Sequence, residues 1–210
     1  MADWTTIASL ATAGGTLVLA VATFAAVRSS NRSARLAEYS MKIGIRPLLM
    51  PSRLEDVQQK IMWGDEHWAL LEGSGAHVQI SDGNVYLAMS VRNAGSGIGV
   101  IQGWHLGLHA LGENHPHAEP DEFRPQSRDL YVPGGDVGFW QAAIRDREDP
   151  EYAALVEALM VRRIFGVELL YTDHEGDQRT ITNFVLAPRG DEKWMCSAVR
   201  HWNLDRPDPR

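Results

Sequence analysis

The first fifth of the chain and the rest follow different patterns. From Thr5 to Val27 (TTIASLATAGGTLVLAVATFAAV) apolar and small residues run on with no charge, and Asp3 and Arg28 bracket the stretch. About 24 uncharged residues at about 1.5 Å each make a helix about 36 Å long, against about 30 Å of bilayer hydrocarbon. A lone segment in lipid must satisfy its own backbone, so the pattern predicts a transmembrane helix. Thr5, Thr6, Ser9, Thr12 and Thr16 carry hydroxyls that can bond back to helix carbonyls, and Trp4 suits the membrane interface. A cleaved signal peptide would need a positive start and a shorter apolar run, and Met-Ala-Asp-Trp has no Lys or Arg. A buried helix of a soluble protein would need a large surrounding core.

Good helix formers without Gly or Pro continue from Ser29 to Met41, predicting that the helix runs on as a stalk. From Ile43 the pattern breaks up. Ile43–Met50 reads as a first strand, with Pro47 and Pro51 marking an edge. Ser52-Arg53-Leu54-Glu55 fits a capping box, and Leu54, Val57 and Ile61 at helical spacing predict a short helix. Trp63–Gly75 has no clear period.

From His77 the period is two. His77–Ser81 and Asn84–Asn93 read as a hairpin over Ser81-Asp82-Gly83-Asn84, and Gly99–Leu111 as a long strand with Gln102, Trp104, Leu106 and Leu108 toward the core. Gly112–Arg128 reads as a loop and Val137–Ile144 as a strand. Asp149 and Pro150 start a helix whose apolar face is Tyr152, Leu155, Val156, Leu159 and Met160. Arg163–Thr172 and Gln178–Ala187 form a hairpin, and Trp194–Trp202 is the last strand. Many short strands without alternating helices predict a mainly β chain: an antiparallel sandwich with one or two short helices behind the transmembrane helix. The expected divisions are residues 1–42 (transmembrane helix and basic stalk), 43–203 (sandwich) and 204–210 (a frayed tail).

Charge sets the orientation. No Lys or Arg precedes the apolar stretch; Arg28, Arg32, Arg35, Lys42 and Arg46 follow it. The positive-inside rule puts the N-terminus outside and the later domain in the cytoplasm, on the inner membrane of a bacterium, with the cations against anionic headgroups. The net charge is −7, and no basic stripe with interleaved aromatics marks a nucleic-acid binder. The single cysteine, Cys196, fits a reducing compartment. Lysine occurs only at 42, 60 and 193, a bias expected of a GC-rich bacterial genome.

Several stretches carry candidate chemistry. Asn93-Ala94-Gly95-Ser96-Gly97-Ile98-Gly99 resembles a phosphate-cradling loop, but a strand follows it where such loops open a helix. His105, His109, His115 and His117, with Glu113, Asp121 and Glu122, carry the donors of a metal site without tetrahedral spacing; solvated histidines are the other reading. Asp173, Glu175 and Asp177 form a loop far shorter than a calcium-binding EF-hand. Cys196 and His201 fall on opposite sides of a strand. Trp63 and Trp68, in the unpatterned segment, are candidate contacts to a partner or a membrane. Small residues at four-residue spacing around Gly15 permit self-association of the membrane helix.

Ser90-Val91-Arg92-Asn93-Ala94-Gly95-Ser96-Gly97, followed by an apolar strand and by Pro133-Gly134-Gly135-Asp136, resembles the N-x-G-x-G pattern of uncharacterised bacterial single-pass membrane proteins with an immunoglobulin-like β-sandwich. The resemblance implies a fold and a location, and no activity. With no assembled catalytic set and no cofactor motif, the expected function is a membrane-anchored interaction or scaffold module with a protein partner. A membrane-bound metal-dependent hydrolase or a small-ligand sensor is the alternative.

Overall fold

A computed structural model describes residues 3–108, 117–190 and 192–206. The chain divides into two compact units, Met1–Gly44 and Ile45–Arg210.

The first unit is one helix, α1 (Trp4–Gly44). It is long and apolar enough to cross a membrane and has no buried residue. Three of its hydroxyls are satisfied from within: Ser9 donates to the Thr5 carbonyl at 2.8 Å, Thr12 to Ala8 at 2.9 Å and Thr16 to Thr12 at 2.9 Å. Hydroxyls bonded in this way can sit in an apolar surrounding at little cost. The helix takes in Ile43 and Gly44, where a strand was expected.

The second unit is mainly antiparallel β. Its strands are β1 (Leu49–Pro51), β2 (Gln59–Met62), β3 (Trp68–Leu71), β4 (Gly75–Ser81), β5 (Asn84–Asn93), β6 (Gly99–Gly107), β7 (Arg124–Val132), β8 (Val137–Ile144), β9 (Phe165–Thr172), β10 (Thr180–Arg189) and β11 (Lys193–Asn203), with one helix, α2 (Tyr152–Met160), between β8 and β9. Nine strands form one continuous sheet in the order β1-β5-β4-β11-β10-β9-β6-β7, with β8 on the free side of β5; β2 and β3 pair with each other. The sheet curls so that residues from every one of its strands meet in one core. Met89, Ile101, Trp140, Phe165, Leu169, Tyr171 and Phe184 lie at its centre, and Leu155 and Leu159 of α2 pack into it. The pairing joins nine strands in this one curled sheet.

Local irregularities explain where strict alternation fails. In β6 the register shifts between Ile101 and Gly103 against both neighbours. The extra residue, Gln102, points to solvent, so Ile101 and Trp104 both reach the core. Expected helix Ser52–Ile61 does not form. Leu54 and Val57 are exposed, and Ser52 is buried, donating to Ser90 Oγ at 2.6 Å and accepting the Ser74 N–H at 2.8 Å. Part of the expected Gly112–Arg128 loop is strand β7. At α2, Asp149 is not the cap. Its carboxylate takes the Glu151 N–H at 2.9 Å and is held by Arg124, and the helix starts at Tyr152.

The chain enters this unit through a tightly held segment. Asn93, fully buried, accepts the Leu48 and Gly95 N–H groups and donates to the carbonyls of Gly97 and Val132. Leu49 donates to the Tyr171 hydroxyl at 3.2 Å. Arg46 points inward, bonded to Asn203 at 3.0 Å and paired with Asp205. It is therefore not one of the cations available to headgroups. Leu204 donates to the Arg179 carbonyl and Arg206 to the Asn203 carbonyl, so residues 204–206 are tied back where a frayed tail was expected; residues 207–210 lie outside the described residues.

Candidate functional site

The β2–β3 hairpin lies outside the main sheet and has two faces. Register pairs Lys60 with Leu70, Ile61 with Ala69 and Met62 with Trp68. Strand alternation then sends Ile61, Ala69 and Leu71 inward, onto Tyr86 and Ala88 of β5, in a cluster distinct from the main core. The other face points out. Met62 is 60 % exposed, Trp68 56 % and Leu70 51 %, with Lys60 Nζ 5.1 Å from the centre of the Trp68 ring. Exposed apolar side chains standing together in this way make the outer face of the hairpin a candidate contact surface. Among the described residues no carboxylate lies within ion-pair distance of Lys60.

Trp63 is not part of that surface. It is 4 % exposed, and its Nε1 donates to the Ala142 carbonyl at 3.0 Å. The turn that follows it carries Asp65, which accepts the Tyr86 hydroxyl at 2.7 Å and Arg145 at 2.9 Å. The Tyr86 hydrogen bond, aided by Arg145, lowers the Asp65 carboxyl to about 2. His67 stacks on Tyr86 at 3.8 Å, and His77 of β4 stands 6.2 Å away from it.

The histidines expected near a metal do not assemble one. His105 is on β6 with its Nδ1 buried and unbonded, 5.9 Å from the Phe123 ring. His117 bonds to the Ala118 carbonyl and meets Trp202 edge-on. His109 and His115 lie outside the described residues. Among the described residues no three His, Cys, Asp or Glu side chains come together as a metal set. What β6 does bring together is a polar row that spacing along one strand cannot reveal. Direct cross-strand pairing sets His105 beside Glu168, Glu168 beside Asn183 and Asn183 beside Arg200. Glu168 is buried and accepts the Ala118 N–H at 2.9 Å.

The glycine-rich loop is a structural junction. Asp173 likewise serves its own turn, its carboxylate taking the Asp177 N–H at 2.9 Å. Cys196 is buried with its sulfur 3.5 Å from Met89 Sδ. On α1, Thr5, Gly15, Val27, Trp4, Arg28, Arg32 and Arg35 are all exposed.

Comparison with protein-family models, with curated proteins and with solved structures returns no match. The site therefore stands on these residues alone.

Proposed function

We propose that this is a single-pass protein of a bacterial inner membrane, anchored by α1, whose cytoplasmic β-domain is an interaction module. Its docking surface is the outer face of the β2–β3 hairpin. The observation that carries the reading is the conjunction of an apolar helix with no buried residue and a cross-strand apolar patch of Met62, Trp68 and Leu70. The orientation rests on Arg28, Arg32, Arg35 and Lys42, which follow the apolar stretch while no cation precedes it. Trp beside an unpaired cation suits a protein partner that presents apolar side chains next to a carboxylate. Kinship with immunoglobulin-like domains belongs to the same proposal and rests on the Asn93–Gly97 pattern.

A photo-crosslinking residue placed at position 68 of the full-length protein in native membranes tests the reading. One defined adduct is expected. It should vanish in a Met62→Ser, Leu70→Ser background and be missing when the probe stands at Tyr131, which is equally exposed but distant in sequence. The same adduct from both positions, or none from position 68, overturns it. The hydrolase or sensor alternative has one observation behind it, the His105–Glu168 row. Metal bound by purified protein and lost on His105→Ala would move the assignment there.

A further inference from the structure

The hairpin is held to the main sheet by an apolar cluster and a few side-chain bonds, among them Trp63 Nε1 to the Ala142 carbonyl and Tyr86 to Asp65, with two imidazoles at one end. Its inward side chains form a cluster of their own with Tyr86 and Ala88, and its strands pair with no strand of the main sheet. It can therefore separate from that sheet without breaking the main core or any main-sheet ladder. At one end of the cluster two imidazoles meet. His67, from the β2–β3 turn, stacks on Tyr86 and lies 5.4 Å from Trp63; His77, from β4, lies 5.7 Å from Trp63 and 6.2 Å from His67. The Nε2 of each ring is buried with no hydrogen-bond partner. A proton added there finds no acceptor, and two charged rings at this separation repel.

The surroundings do not offset that charge. On the hairpin, Asp65 takes the His67 backbone N–H but shares its carboxylate with Tyr86 and Arg145, and Glu66 next to it is exposed. From β5 come Tyr86 and Asn84, from the end of β8 comes the cation Arg145, and on β4 Gln79 bonds His77. Arg162 and Glu192 border the groove along His77. Burial, followed by the charge of His67, holds the His77 imidazole below its ordinary range.

We propose that His67 and His77 form a proton-sensitive clasp: protonation of His77 beside His67 on mild acidification releases the β2–β3 hairpin from the sheet and leaves the nine-stranded core folded. The clasp operates whether or not Trp68 binds a partner, so it stands apart from the docking role. Where it does bind one, release would alter that surface through pH. Sign and range follow from the imidazoles. With its folded-state value depressed, His77 favours the docked form above the ordinary histidine pKa of 6.5 and loses that contribution as pH falls below it. Asp65, held at about 2, stays charged throughout.

Hydrogen exchange of the full-length protein in lipid nanodiscs, at about pH 7.5 and about pH 5.5 and corrected for intrinsic rates, tests this directly. Protection across residues 59–71 is expected to fall by up to about tenfold per pH unit for each proton taken up, while residues 165–189 keep theirs. The His67→Gln and His77→Gln variants, singly and together, should retain hairpin protection at the lower pH. Equal hairpin protection at both pH values in the unmodified protein overturns the proposal, as does a loss shared with residues 165–189. Those two outcomes need no variant. An acid loss that persists in a folded double variant also overturns it.

Discussion

Gly97 lies directly against the backbone of Ile45: a Cβ placed on it would stand 1.8 Å from the Ile45 carbonyl oxygen. Gly95 meets the Arg46 carbonyl at 2.1 Å in the same way. The glycines of this loop are needed because two segments of backbone cross with no room between them. Since backbone cannot yield as a side-chain tip does, Gly97→Ala is expected to destabilise the β-domain by about 2–4 kcal/mol. Gly64→Ala, where space is open, should stay within about 0.5 kcal/mol. Denaturant midpoints of the two variants, measured side by side, check this.

Tyr171 is the second fixed point of the same junction. Its hydroxyl accepts the Leu49 N–H and bonds Thr182 Oγ1 at 2.9 Å, and Thr182 in turn meets His201 at 2.7 Å. Tyr171→Phe leaves a buried N–H without a partner and should cost about 1–3 kcal/mol. Burial raises the phenol from 10.0 to about 12. The neutral phenol is thus favoured in the folded state. That contribution is whole below pH 10 and is lost as pH rises toward 12, by about 1.4 kcal/mol per pH unit. Alkaline unfolding followed by far-UV dichroism should show this limb, and the Tyr171→Phe variant should lack it.

Asp65 acts at the opposite end of the pH scale. Its carboxyl falls from 3.8 to about 2, first through the Tyr86 hydroxyl, so the folded state favours the charged form. This contribution is present above 3.8 and is lost as pH falls toward 2. Asp65→Asn should remove that part of the acid dependence while leaving the histidine-range change in hairpin exchange visible. Acid titrations of stability for the two proteins check it.

Cys196 should be silent toward thiol reagents in the folded protein. Burial drives its thiol far above the ordinary range, and thiolate is the reactive form. Reaction with a disulfide reagent is expected only after denaturation, and reaction at the rate of a free thiol in native buffer would contradict this packing.

Strand β5 was legible in the sequence, because Val85, Leu87, Met89 and Val91 alternate with less apolar residues, and so was the apolar stretch of α1; what alternation did not show is that Tyr86, Ala88 and Ser90 on the other face of β5 are buried too. Four features escaped for identifiable reasons. The hairpin β2–β3 carries apolar side chains on both faces, Ile61, Ala69 and Leu71 inward and Met62, Trp68 and Leu70 outward, so alternation vanished and Trp63 and Trp68 looked alike. Strand β7 is largely exposed and polar before Leu130, and read as loop. The polar row from His105 to Arg200 joins four strands distant in sequence, and only pairing brings its members side by side. Arg46 counted as one more juxtamembrane cation because its partners, Asn203 and Asp205, are at the far end of the chain.

The junction around Asn93 has a bearing on durability. With one cysteine, the chain cannot form an internal disulfide, yet its first residues after α1 are cinched to loops some 50 and 90 residues onward. A staple made of crossing backbones and one saturated amide contains nothing to oxidise or reduce. Its hold is the same in a reducing cytoplasm as under oxidative stress, and it can be undone only by changing the shape of the residues that make it.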